Sequence, residues 1–155
     1  MTSETPAIVI YTFTRTEELN MLPINGSGLY IVTLNNDIPI SVNAHDKRIS
    51  DKCIKVTKQN CKFGKANNFE LRRKNYFKTF SEKNVNFIPI ARVKLEDLPL
   101  IEKMVLQNLD IYRMAGITGR KNEWLENISF EGVHEIALET LKNSGISYML
   151  VNREL

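Results

Sequence analysis

A chain of 155 residues with a net charge of +3 is long enough to bury one hydrophobic core unaided and reads as a single domain. No apolar run approaches the ~18 residues of a membrane span, and the N-terminal run lacks the basic residues that precede the apolar core of a signal peptide. Two cysteines, Cys53 and Cys61, with no nearby zinc-ligand spacing, argue against a disulfide scaffold or a zinc module and for reduced thiols in a cytoplasm-like compartment.

In chain order, Ala7 to Thr14 is β-branched and aromatic and predicts a strand. Thr16 to Met21 predicts a short helical turn ended by Pro23 and Asn25-Gly26. Gly28 to Leu34 is a second strand and Ile38 to Val42 a third, across an Asn35-Asn36-Asp37 turn. Residues 43 to 52 are polar and predict a loop, followed by short extended pieces at 53 to 57 and 61 to 65. Asn67 or Asn68 can cap a helix to about Phe80, because its side chain accepts free N–H groups of the first turn. Val85 to Val93 predicts a strand in which Pro89 implies an edge position or a bulge.

Asp97 and Pro99 open a helix expected to run to about Ala115, with Ile101, Val105, Leu109 and Tyr112 as its buried stripe. Gly116 to Gly119 is a loop, and Glu123-Trp124-Leu125 begins or precedes a short element. Phe130 to Asn143 is a helix closed by Ser144-Gly145, and Ile146 to Val151 a last strand. Strands come first and then alternate with helices, so the class is α+β, a small central antiparallel sheet flanked by helices.

Charge is concentrated. From Lys47 to Lys83 there are twelve Lys or Arg against three acids, Asp51, Glu70 and Glu82, a local balance of +9 on a chain of +3. Such a segment suits an anionic partner such as a nucleic-acid backbone, or is a solvated lysine-rich face. At its centre, Phe63-Gly64-Lys65 is followed by a helix start and by Arg72, Arg73 and Lys74. Helix N-termini bind anions, but this is neither a Walker A loop nor a dinucleotide fingerprint.

Gly28-Leu29-Tyr30 on one strand, x-Phe63-Gly64 ending a later one, then Lys65-Ala66-x-Asn68-x-x-x-Arg72 on a helix resemble the GIY-YIG nuclease superfamily. Downstream, Glu102 stands where that family has a metal-binding glutamate, and Tyr112-Arg113 and Glu123-Trp124 follow in the order of a phage and fungal branch. The resemblance spans about residues 28 to 141, and departs where Lys62 replaces the second-motif tyrosine and where residues 35 to 55 form a longer insertion. It implies residues 28 to 155 as a nuclease domain behind an N-terminal extension, 1 to 27. It further implies an endonuclease that hydrolyses DNA phosphodiester bonds with Mg²⁺ or Mn²⁺, in a bacterial or virus-infected cytoplasm and away from membranes. Glu102 would hold the metal, Arg72 the phosphate charge, Tyr30 the general-base role and Lys62 an assisting role. Lys65, Arg73 and Lys74 would position the DNA backbone, and Asn122 is a candidate for the family's late asparagine. Specificity would come from the insertion, the first thirty residues, or a partner chain, including a second copy. The competing readings are a non-catalytic nucleic-acid-binding module with the same fold and a small acyl- or nucleotide-binding α+β domain. His45 and His134 read as surface or incidental residues, Trp124 as core, and Phe69, Tyr76, Phe77 and Phe80 as a core stripe.

Overall fold

A computed structural model describes residues 8–13, 26–116 and 118–153. The fold is α+β. Nine strands are present among the described residues: β1 (Ile8–Phe13), β2 (Gly28–Leu34), β3 (Ile40–Ser41), β4 (Lys55–Val56), β5 (Cys61–Ala66), β6 (Val85–Val93), β7 (Arg113–Ala115), β8 (Lys121–Leu125) and β9 (Tyr148–Arg153). Three α-helices accompany them: α1 (Phe69–Phe80), α2 (Leu98–Asn108) and α3 (Phe130–Ser144). Seven strands make one sheet in the order β1-β9-β6-β2-β5-β8-β7, while β3 and β4 form a separate ribbon. Among the described residues only the β1–β9 pair is parallel. No helix among the described residues is long and apolar enough to cross a membrane.

The run Gly-Leu-Tyr-Ile-Val-Thr-Leu of β2 is apolar almost throughout because both faces of the sheet are covered. Successive side chains alternate sides. Leu29 and Ile31 join Phe63, Ile101, Val105, Leu109, Val133 and Leu141 under α2 and α3. Tyr30, Val32 and Leu34 point the other way and pack with Phe69, Tyr76, Phe80 and Trp124 under α1. The predicted stripe of α1 is therefore core, with Phe77 packed at its margin.

Local signals set the helix ends. The Asn68 side chain accepts the Leu71 N–H at 3.1 Å, and the Ser129 hydroxyl accepts the Gly132 N–H at 3.1 Å. Gly145 ends α3 at φ 79°, a left-handed conformation that glycine adopts without strain.

Several expectations are corrected. The helix predicted to reach Ala115 stops at Asn108; Asp110–Tyr112 is a 3-10 turn and Arg113–Ala115 a strand paired with β8. Leu109 still lies in the core, so the apolar spacing outlasts the helix that it implied. Asp97 makes no side-chain cap bond. Pro89 is not on an edge strand, since β6 lies between β9 and β2. Its bulge is real: the register with β2 shifts between Leu29 and Tyr30, and β9 pairs only with Ala91–Val93. Pro89 pairs with Tyr30 of β2 at this shift and lies outside the stretch that β9 pairs, so no β9 ladder bond is lost there. The strand expected at 146–151 is Tyr148–Arg153. The third strand shortens to two residues, and the polar loop after it holds a 3-10 turn, Ser50–Lys52. The turn expected at 16–21 lies outside the described residues.

Candidate active site

The site starts where β2 and β5 lie side by side. Tyr30 faces Gly64 across the antiparallel pair, and Lys62 faces Val32. A β-carbon on Gly64 would stand 2.5 Å from the Tyr30 hydroxyl oxygen, so glycine makes the room that the phenol occupies. A β-carbon on Gly28 would strike the Ala91 carbonyl oxygen and lie 2.8 Å from the Phe69 ring. Both motif glycines therefore serve close packing.

Tyr30 is 1% exposed. Its ring stacks on Phe87 at 4.7 Å, and its hydroxyl lies 2.6 Å from that of Tyr76 on α1. Burial pushes the Tyr30 phenol well above its ordinary pKa, and Tyr76 beside it adds to the rise; Lys62 and Arg72 pull it down by less. A general-base role for Tyr30 calls for a lowered pKa, and the free protein has the reverse, because loss of hydration outweighs the two cations. Tyr76 shifts upward for the same main reason, burial, opposed by the Tyr30 hydrogen bond and by Arg72.

Lys62 is partly exposed. Its Nζ lies 3.6 Å from a Glu123 carboxylate oxygen and 5.2 Å from the centre of the Tyr76 ring. Arg72, Asn75, Tyr76 and Thr79 recur at helical spacing and line one side of a cleft of about 300 Å³, whose other side carries Lys62, Asn122 and Trp124. Tyr76 thus reaches the cleft, with Tyr30 behind it.

Arg73 and Lys74 take a different course. Arg73 donates to both carboxylate oxygens of Glu70, at 3.0 and 2.9 Å, and lies over the Phe77 ring. Lys74 stands 3.8 Å from the same carboxylate. At ~100° per residue, Glu70, Arg73 and Phe77 lie across the buried stripe from Arg72 and Thr79. The structure therefore brings Arg72 to the cleft and leaves Arg73 and Lys74 on the far side of α1.

Glu102 projects from α2, which packs over β5. β8 pairs with β5 only at Cys61 and Lys62, so the Gly64–Ala66 edge runs beyond the end of β8. There Glu102 comes within electrostatic reach of Glu123, Lys65 and Lys62. Burial and then the Glu123 charge raise its carboxyl pKa, against the Lys65 ammonium, the Lys65 backbone N–H and Lys62. Lys65 thus serves the carboxylate edge rather than the cleft face. Asn122 lines the cleft, and its side-chain oxygen accepts the Glu123 N–H at 3.0 Å.

No protein-family model, curated protein or solved structure matches this chain.

Two residues escaped the sequence reading. Tyr76 was assigned to the core stripe; it is core and also the hydroxyl partner of Tyr30. Its position four after Arg72 was the available signal, since i and i+4 share a helix face. Glu123, which the sequence offers only as part of the Glu123-Trp124 pair, stands 3.6 Å from the Lys62 ammonium. His45 is more than incidental: its Nδ1 lies 2.9 Å from the Thr79 hydroxyl and ties the insertion to α1. Among the described residues no three His, Cys, Asp or Glu gather as a metal centre. Two carboxylates are a sufficient hard-oxygen set for Mg²⁺, which keeps several waters and binds substrate phosphate.

Proposed function

We propose that the chain is a metal-dependent endonuclease of the GIY-YIG type that hydrolyses DNA phosphodiester bonds. The supporting observation is the Tyr30–Tyr76 hydroxyl pair with Lys62 and Arg72 bearing on it, beside the Glu102 and Glu123 carboxylates.

The cleft receives a phosphate. Arg72 offers a planar fork of donors to the non-bridging oxygens and balances the charge that grows there in the transition state. Lys62 adds a second cation and is held in the cleft by Glu123. The Tyr76 hydroxyl, aligned by Tyr30, orients the attacking water. Lys62 and Arg72 draw the Tyr30 phenol toward ionisation and Arg72 does the same for Tyr76, the direction that proton abstraction requires, against the larger opposing effect of burial. Glu102, with Glu123 beside it, would hold a divalent ion whose charge relieves the leaving oxygen and the phosphate.

A second reading, a DNA-binding module that no longer cuts, is favoured by two observations. Burial keeps Tyr30 protonated in the free protein, and Lys62 already shares its charge with Glu123. One assay separates the two. Supercoiled plasmid with Mg²⁺ is converted to nicked circles by the parent, and Glu102→Ala slows this by about 10²-fold or more. A parent that does not nick, or a Glu102→Ala variant that nicks at the parent's rate, removes the catalytic reading.

A further inference from the structure

The longer insertion between the two motif strands has its own architecture. β3 and β4 pair through Ile40 with Val56 and Ser41 with Lys55. The Ser41 hydroxyl donates to the Ser50 carbonyl at 2.6 Å, the Val42 N–H donates to the Ile54 carbonyl at 3.1 Å, and the Asn43 amide lies 2.9 Å from the Cys53 sulfur. His45 then fastens this unit to Thr79 on the cleft face of α1.

Docked there, the insertion forms one wall of a second cleft, of about 410 Å³, whose opposite wall is the β7–β8 hairpin. Val42, Asn43 and Asn122 line both clefts, so the two adjoin. Four cations line the second cleft, Lys52, Arg113, Arg120 and Lys121, against one acid, Glu123. Asp110 behind it pairs with Lys121 and lies 3.9 Å from Arg113. Arg113 is fixed in direction by donating from Nε to the Asn122 carbonyl at 2.8 Å. Arg48 of the insertion pairs with Asp46 at 3.1 Å, and Lys58 just beyond it pairs with Asp37 at 2.7 Å. Lys52 is turned to the cleft instead.

We propose that this second cleft binds the sugar-phosphate backbone flanking the scissile phosphate, so that one nucleic-acid strand passes from the Arg72 cleft between the insertion and the β7–β8 hairpin. A polar, cationic trough adjoining the Arg72 cleft suits an elongated polyanion. The amides of Asn43 and Asn122 match the hydrogen-bonding groups of a sugar-phosphate chain. The inference rests on the nuclease reading for the role of the first cleft, but its own evidence is the second.

The test uses fluorescein-labelled 12-nucleotide single-stranded and duplex DNA, with Ca²⁺ in place of Mg²⁺, read by fluorescence anisotropy. Lys52 and Arg120 are both exposed, so the double variant Lys52→Ala/Arg120→Ala is expected to melt like the parent. It should bind at least one probe about 10-fold more weakly, with the slope of log K against log salt reduced by about 1.4–1.8, as two lost phosphate contacts require. The inference is overturned if the double variant keeps the parent's affinity and slope while Arg72→Ala weakens binding; the nuclease reading then survives. If the double variant loses affinity but the parent never nicks plasmid, the inference stands and the nuclease reading falls. A parent that binds neither probe overturns both.

Discussion

Gly64 offers the sharpest test of the geometry. A β-carbon there would lie 2.5, 2.7 and 3.2 Å from the hydroxyl oxygen, Cζ and Cε1 of Tyr30. Carbon atoms pack favourably at about 3.5–4.0 Å, so Gly64→Ala requires the phenol to retreat by about 1 Å. It has little room: the ring is 1% exposed and stacks on Phe87 at 4.7 Å. Overpacking of this kind costs about 1–3 kcal/mol. A 1 Å displacement also breaks the 2.6 Å bond to Tyr76, for about 1 kcal/mol more. The expected destabilisation is therefore about 2–4 kcal/mol, read from urea unfolding midpoints at unchanged m-value. In a Tyr30→Ala background the added methyl meets no phenol, and the same substitution should cost less than about 0.5 kcal/mol. A Gly64→Ala variant within 0.5 kcal/mol of the parent (roughly the additivity error), or one whose cost is the same in both backgrounds, refutes the close approach.

Three further outcomes follow from the same geometry. Arg72→Ala should lower the plasmid nicking rate by about 10²-fold or more, whereas Arg73→Ala, held by Glu70 across the helix, should stay within about threefold; equal losses would remove the distinction. Glu102→Gln should be more stable than the parent at pH 7.5. Burial raises the folded carboxyl pKa, so the parent keeps its full stability only at acid pH and loses the protonated form's advantage as pH rises through the folded value. The difference between the two should shrink below about pH 4, and a variant less stable than the parent at pH 7.5 contradicts the sign. Burial lifts the Cys61 thiol to about 11, so an aromatic disulfide reagent at pH 8 should modify Cys53 at least about 10²-fold faster. Cys53→Ser should abolish the fast phase, and a fast phase that survives it would place Cys61 in solvent.

The clearest signals in the chain are local ones, and these were legible. The β-branched, two-faced apolar runs of β2 and β6 announce buried strands, and both have the predicted bounds. Asn68 and Gly145 mark helix ends because a cap and a left-handed residue act on their own first or last turn. Tyr30, Lys62 and Arg72 could be nominated because their order in the chain was informative; the two strands and α1 bring Lys62 and Arg72 to one cleft, with Tyr30 buried behind Tyr76.

What failed was whatever depended on a distant partner. Leu109 and Tyr112 satisfied helical spacing, yet Arg113–Ala115 became a strand because β8 offered a ladder. Arg72, Arg73 and Lys74 are chemically alike and adjacent, and only the packing of α1 on the sheet decides that Arg72 faces the cleft while its neighbours face Glu70. The pKa of Tyr30 turned on the same tertiary fact. Sequence shows the cations that would lower it, but the desolvation that outweighs them exists only once Phe87, Tyr76 and the strand beneath close around the ring. The sequence by itself therefore determined which elements form and which charged residues are at hand. Tertiary structure decided which of them meet and which are stripped of water, because burial and long-range pairing belong to the folded whole.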